Sequence, residues 1–109
     1  MMLITDQPRQ VLLFYNANGS ETWEKQSQEL KNHEAGLRER DIEVTSFRFS
    51  KENAEQWKKW DVDTSSNFTY VLVGRDGGVK HKSGKIVSCK ELFALVDAMP
   101  MRKYEVKKE

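Results

Sequence analysis

A chain of 109 residues, 38% hydrophobic and 32% charged, is long enough to build one hydrophobic core and too short for a second. It reads as one globular domain over residues 1–109, with a core at about 10–100 and a charged tail at 101–109. The formal charge of +1 lacks the basic footprint of a nucleic-acid binder, and the longest apolar run, 11–15, is far below the roughly 20 residues of a spanning helix. Neither nucleic-acid binding nor membrane insertion is expected. The charge is uneven, −3 over residues 1–69 and +4 over 70–109, so the C-terminal part is the basic part.

In chain order, residues 10–15 (QVLLFY) form a nearly continuous apolar run, the pattern of a strand covered on both faces. Asn16 to Gly19 break it, and Ser20 is a plausible N-cap for a long helix from about 21 to 40. Trp23, Leu30 and Leu37 recur there at every seventh position. Gly36 costs that helix about 1 kcal/mol relative to alanine, so tertiary packing must hold its second half. Residues 42–49 alternate as a second strand, with Ile42, Val44 and Ser46 on one face and Thr45, Phe47 and Phe49 on the other. Strand, helix and strand together make a parallel crossover. A short helix over 51–60 carries Ala54, Trp57 and Trp60 at helical spacing, and a polar loop follows at 61–67.

Residues 68–80 (FTYVLVGRDGGVK) read as a central strand feeding a hairpin, with Asp76-Gly77 as the turn dipeptide and 79–82 as the returning strand. The last helix is the best marked. Ser88 and Glu91 have capping-box spacing, Val87 and Leu92 have staple spacing, and Pro100 supplies a stop. Leu92, Phe93, Val96 and Met99 form its buried face.

This order, β-α-β-α-β-β-α, is that of the α/β thioredoxin-like fold, a four-stranded mixed sheet with helices on both faces. The segments GRDGGVK (74–80), ELFALVDAMPMRK (91–103) and GLRERDIEV (36–44) resemble the P-DUDES family, thioredoxin-like proteins of unknown function. That family comprises small bacterial proteins and related domains in equarin and sushi-repeat-containing protein. The resemblance implies a role as a binding or accessory module, and it makes export conceivable although the N-terminus MMLITDQPRQ has no secretory signal pattern.

In redox-active thioredoxins a Cys-x-x-Cys motif follows the first strand and a cis-proline precedes the third. Here those places read NANGSETW (16–23) and SSNFT (65–69), so Asn16, Asn18 and Ser20 occupy the position of the redox motif. With Cys89 as the single cysteine, dithiol exchange within the chain is chemically impossible, and an intramolecular disulfide or multi-thiolate site is excluded.

The alternative is a single-thiol or peroxiredoxin-related protein acting through Cys89, or near Arg75 on a substrate's own thiol. Cys89 starts the last helix beside Lys90, and both the helix dipole and the cation favour a thiolate there. A protein or anionic ligand has its best candidates in Arg75, Asp76 and Lys80 at the hairpin, flanked by His81, Lys82 and Lys85. Strand alternation separates Lys80 and Lys82 from His81. His33 and His81 have no spacing that makes a metal pair, so neither metal nor cofactor is expected. Trp57, Trp60 and Phe49 read as core.

Overall fold

The computed structural model describes residues 7–99. Its sheet holds β1 (Arg9–Tyr15), β2 (Ile42–Arg48), β3 (Phe68–Val73) and β4 (Val79–Ser83) in the order β2-β1-β3-β4. β1 runs parallel to β2 and antiparallel to β3, and β3 pairs antiparallel with β4. The helices are α1 (Ser20–Lys31), α2 (Glu34–Glu39), α3 (Ala54–Lys59) and α4 (Cys89–Asp97).

The two central strands carry the core because alternate side chains point to opposite faces. Val11 and Leu13 of β1, with Phe68, Tyr70 and Leu72 of β3, pack under Leu30 of α1, Leu37 of α2 and Leu92 and Val96 of α4. Leu12 and Phe14, with Val71 and Val73, pack on the other face against Trp57 of α3 and Val62. Helices therefore cover both faces. Phe14 meets the edge of Trp57 and stacks on Phe47, and Phe49 meets Trp57 edge-on. Trp57 is core as expected and Trp60 lies at its margin, but Phe49 and Val44 are exposed, because β2 is the edge strand and only part of its length is covered.

The expected long helix is two helices. At the junction the His33 amide bonds to the Leu30 carbonyl, a tightened i→i−3 turn, and His33 takes φ −127° and ψ 34°. The break lets α2 tilt onto α4. A Cβ on Gly36 would lie 2.6 Å from the Phe93 ring, so the glycine is the slot into which that ring fits. Arg40 covers the ring 4.1 Å from its centroid and binds Asp97 through two nitrogens at 3.0 Å. Packing of this kind, not helix propensity, holds α2.

Ser20 is the first residue of α1 and not its cap. Asn16 caps a short 3-10 turn over Ala17–Gly19 instead, accepting the Gly19 amide at 2.9 Å. The hairpin loop is longer than a two-residue turn. The Gly74 amide donates to the Gly78 carbonyl, the Asp76 carboxylate accepts the Gly78 amide at 2.9 Å, and Gly77 takes φ +83°. At α4, Ser88 Oγ accepts the Glu91 amide as the capping pattern predicts. Pro100, the expected stop, lies outside the described residues, as does the tail.

Candidate functional site

The candidate residues fall at two ends of the sheet. β1 pairs Gln10 with Val73 at its start and Tyr15 with Phe68 at its finish. Arg75, just past the end of β3, therefore lies beside the start of β1, whereas Asn16 lies beyond its finish. Six residues at about 3.3 Å each place the two roughly 20 Å apart, so the hairpin candidates and the redox-position candidates belong to separate regions.

At the finish of β1, Asn16 and Asn67 close on one another. The Asn16 amide donates to the Asn67 carbonyl at 3.1 Å, and Asn16 Nδ2 donates to Asn67 Oδ1 at 3.0 Å. Gly19 is buried so tightly against this loop that a Cβ there would stand 1.9 Å from the Asn67 carbonyl oxygen. The place that a Cys-x-x-Cys motif would take is thus filled by protein hydrogen bonds and backbone contact. Asn18 sits in the 3-10 turn and Ser20 in the first turn of α1. No cis peptide bond occurs among the described residues.

An open cleft of about 420 Å³ adjoins this closure, lined by Asp63, Ser66, Thr69, Lys82 and Ser83 together with Val62 and Gly84. Ser66 joins the two, because its carbonyl is within 3.5 Å of Asn16 Nδ2. Lys82 Nζ donates to the Trp60 and Asp61 carbonyls, which pins the cation to the cleft wall. Asp63 accepts the Ser65 amide and hydroxyl, and these bonds hold its carboxyl below the usual range. The cleft thus presents one cation, one anion and several hydroxyls. Sequence reading placed Lys82 in a cationic strip but missed the hydroxyls, because they come from the loop before β3, the start of β3 and the far end of β4.

At the other end, Arg75 donates to the Gln7 carbonyl at 2.9 Å and to Asp41 at 3.0 Å, tying the hairpin to the turn before β2. Lys80 pairs with Asp76 at 3.0 Å, and the Gly78 amide followed by Lys80 lowers the Asp76 pKa. The structure brings Asp76 and Lys80 together and engages Arg75 elsewhere. His81 turns to the opposite face from Lys82, where its ring meets Tyr70 edge-on. The Tyr70 hydroxyl and His81 Nδ1 are buried without hydrogen-bond partners among the described residues.

Cys89 is fully buried. Burial first, and then the Glu29 carboxylate, push its thiol up to about 11. This is opposite to the shift expected from its place at a helix start. The dipole of α4 is already answered by Glu29, whose carboxylate accepts the Cys89 amide at 2.8 Å. Sequence reading could not anticipate a partner 60 residues away. Between α1, α2 and the edge strand β2 there is also an open groove of about 440 Å³, lined by Trp23, Leu30, Leu37 and Val44 among others.

Solved structures show what this architecture is similar to. The chain resembles thioredoxin-2 of the malaria parasite, a component of its protein secretion machinery, at 19% identity over 84% of each chain with a TM-score of 0.63. It resembles the reduced 2-Cys peroxiredoxin of Plasmodium vivax at 15% identity, covering 91% of this chain and 80% of that one with a TM-score of 0.68. An uncharacterised thioredoxin-like protein of Clostridium perfringens matches at 12% identity, covering 87% and 73%, with a TM-score of 0.60. At these identities the likeness is one of fold, which is thioredoxin-like. No curated protein sequence matches the chain. A family model described as a domain of unknown function, DUF4174, matches residues 4–105.

Proposed function

The chain belongs to the DUF4174 family, and we propose that it is a thioredoxin-like binding module without thiol chemistry of its own, taking a short polar peptide segment of a partner protein. The observation that carries this reading is the contact of Gly19 with the Asn67 carbonyl, reinforced by the Asn16–Asn67 pair. Dithiol chemistry needs two thiols and room for a substrate disulfide at this helix start. Here the chain supplies neither thiol, and its own backbone fills the room. The open cleft beside the closure is where the partner segment would sit, because its hydroxyls, Lys82 and Asp63 offer donors and acceptors for a peptide over a floor that includes Val62.

The single-thiol alternative through Cys89 requires an accessible thiolate. Burial and a raised pKa work against it. Arg75, Asp76 and Lys80 are the second region where a partner could dock; these side chains bind one another or the turn at Asp41, just as Lys82 and Asp63 of the cleft are held by their own neighbours.

Two measurements test the proposal. Purified protein should reduce neither insulin disulfides nor peroxide faster than buffer containing dithiothreitol; a turnover lost in Cys89→Ser would sink it. Amide shifts of labelled protein titrated with a mixture of polar tetrapeptides should move at Ser66, Thr69, Lys82 and Ser83. Shifts confined to residues 75–80 would transfer the site to the hairpin.

A further inference from the structure

Glu29, His33 and Cys89 come from three places in the fold: α1, the α1–α2 junction and the first turn of α4. One ligand atom from each lies within 4.8 Å of the other two. The convergence is built around the Glu29 backbone carbonyl. Cys89 Sγ donates to it at 3.5 Å, and His33 Nδ1 lies 2.9 Å from the same oxygen. The Glu29 carboxylate stands 3.8 Å from the His33 ring nitrogen while it caps the Cys89 amide. Phe93 meets the His33 ring edge-on from α4 and limits where the imidazole can turn.

We propose that these three side chains form a site for a borderline divalent transition-metal ion, zinc in the first instance. A thiolate, an imidazole and a carboxylate are the donor types zinc takes, and three protein ligands leave one position for water. Bond lengths of about 2.0–2.3 Å in tetrahedral geometry put ligand atoms about 3.3–3.6 Å apart. The cluster must therefore contract by about 1 Å. The half-exposed side chains of His33 and Glu29 can move by rotamer adjustment, with the buried Cys89 as the fixed point.

The charges balance. A dication, a thiolate and a carboxylate sum to zero, which removes the penalty of a net charge beside a buried thiol. Binding replaces the Cys89 S–H bond by an S–metal bond, and the proton leaves to solvent. The His33 imidazole coordinates neutral through whichever ring nitrogen does not carry the proton. Sequence spacing hides the site, since Glu29 and His33 are one helical turn apart but Cys89 is 60 residues from Glu29.

The ion would also link α1 and the α1–α2 junction to α4, so its binding free energy adds to the stability of that face by mass action. This role is independent of the cleft beside Asn67 and of any partner there.

The test is a titration of tag-free, chelator-treated full chain with Co²⁺ alone, followed by displacement with Zn²⁺. One equivalent should bind with the near-ultraviolet thiolate-to-cobalt band of a Cys ligand, and zinc should abolish that band. His33→Ala, at an exposed position, should weaken binding at least about tenfold with the fold intact. Glu29→Gln should weaken it less, and His81→Ala should leave it unchanged. Cys89→Ser should remove the band. Absence of the band in the wild type, undiminished binding in His33→Ala, or loss of binding in His81→Ala would each overturn the proposal.

Discussion

Gln26 and Val87 bind one another twice: Gln26 Nε2 donates to the Val87 carbonyl at 2.9 Å, and Gln26 Oε1 accepts the Val87 amide at 2.7 Å. Both residues are buried, and the pair works like one rung of a sheet between α1 and the segment that leads into α4. It fixes where α4 begins, and so where Cys89 meets Glu29. Replacing Gln26 by leucine keeps the bulk and leaves two buried backbone groups unsatisfied. At about 1–3 kcal/mol for each such group, a loss of about 2–6 kcal/mol is expected. Urea unfolding monitored by tryptophan fluorescence reads it directly. A loss below about 0.5 kcal/mol would mean that the segment before α4 finds other partners.

Gly19 is the position where the smallest added side chain should do the most damage. Its Cβ would overlap the Asn67 carbonyl oxygen, a backbone atom that can retreat only by opening the loop before β3. Gly19→Ala should cost about 2–3 kcal/mol, at the upper end of overpacking effects. It should also shift the amide and side-chain NH₂ resonances of Asn16 and Asn67. A stable variant with those resonances in place would show that the closure is looser than its contacts imply.

Two opposing effects meet at Gly36. Alanine there gains about 1 kcal/mol of helix propensity, but its methyl would stand 2.6 Å from the Phe93 ring. The clash should win, so Gly36→Ala destabilises the wild-type protein. In a Phe93→Ala background the same substitution should stabilise. A double-mutant cycle in denaturant gives the coupling, and additive effects would refute the slot-and-ring account.

The hairpin carries a pH signature. The Gly78 amide and Lys80 lower the Asp76 pKa, so the carboxylate form is favoured in the folded state. A depressed folded-state value contributes stability that is present above 3.8 and lost as pH falls through the folded value. The Gly78 amide shift should therefore titrate with a midpoint below 3.8. Lys80→Ala should move that midpoint upward, and Asp76→Asn should abolish the titration. A midpoint at or above 3.8 would contradict the hydrogen-bonding cause.

Much of this protein follows from local chemistry in the sequence. The alternation of Val11 to Phe14 and of Phe68 to Val73 assigns each side chain to a face, because a strand has a period of two whatever its neighbours are. Ser88 and Glu91 mark the start of α4 because capping involves groups three residues apart. The single cysteine, Cys89, leaves these 109 residues without a Cys-x-x-Cys pair, which the sequence states directly.

Other features depend on contacts between distant segments and leave no local pattern. The split between α1 and α2 answers to Phe93 and Asp97, which lie on α4. The direction of the Cys89 shift answers to burial and to Glu29, and local reasoning from the helix dipole and Lys90 gives the opposite sign. Arg75 reads as a free cation until Asp41 and the Gln7 carbonyl are seen beside it. The meeting of Glu29, His33 and Cys89 is of the same kind, since proximity across 60 residues is created by packing and has no counterpart in spacing.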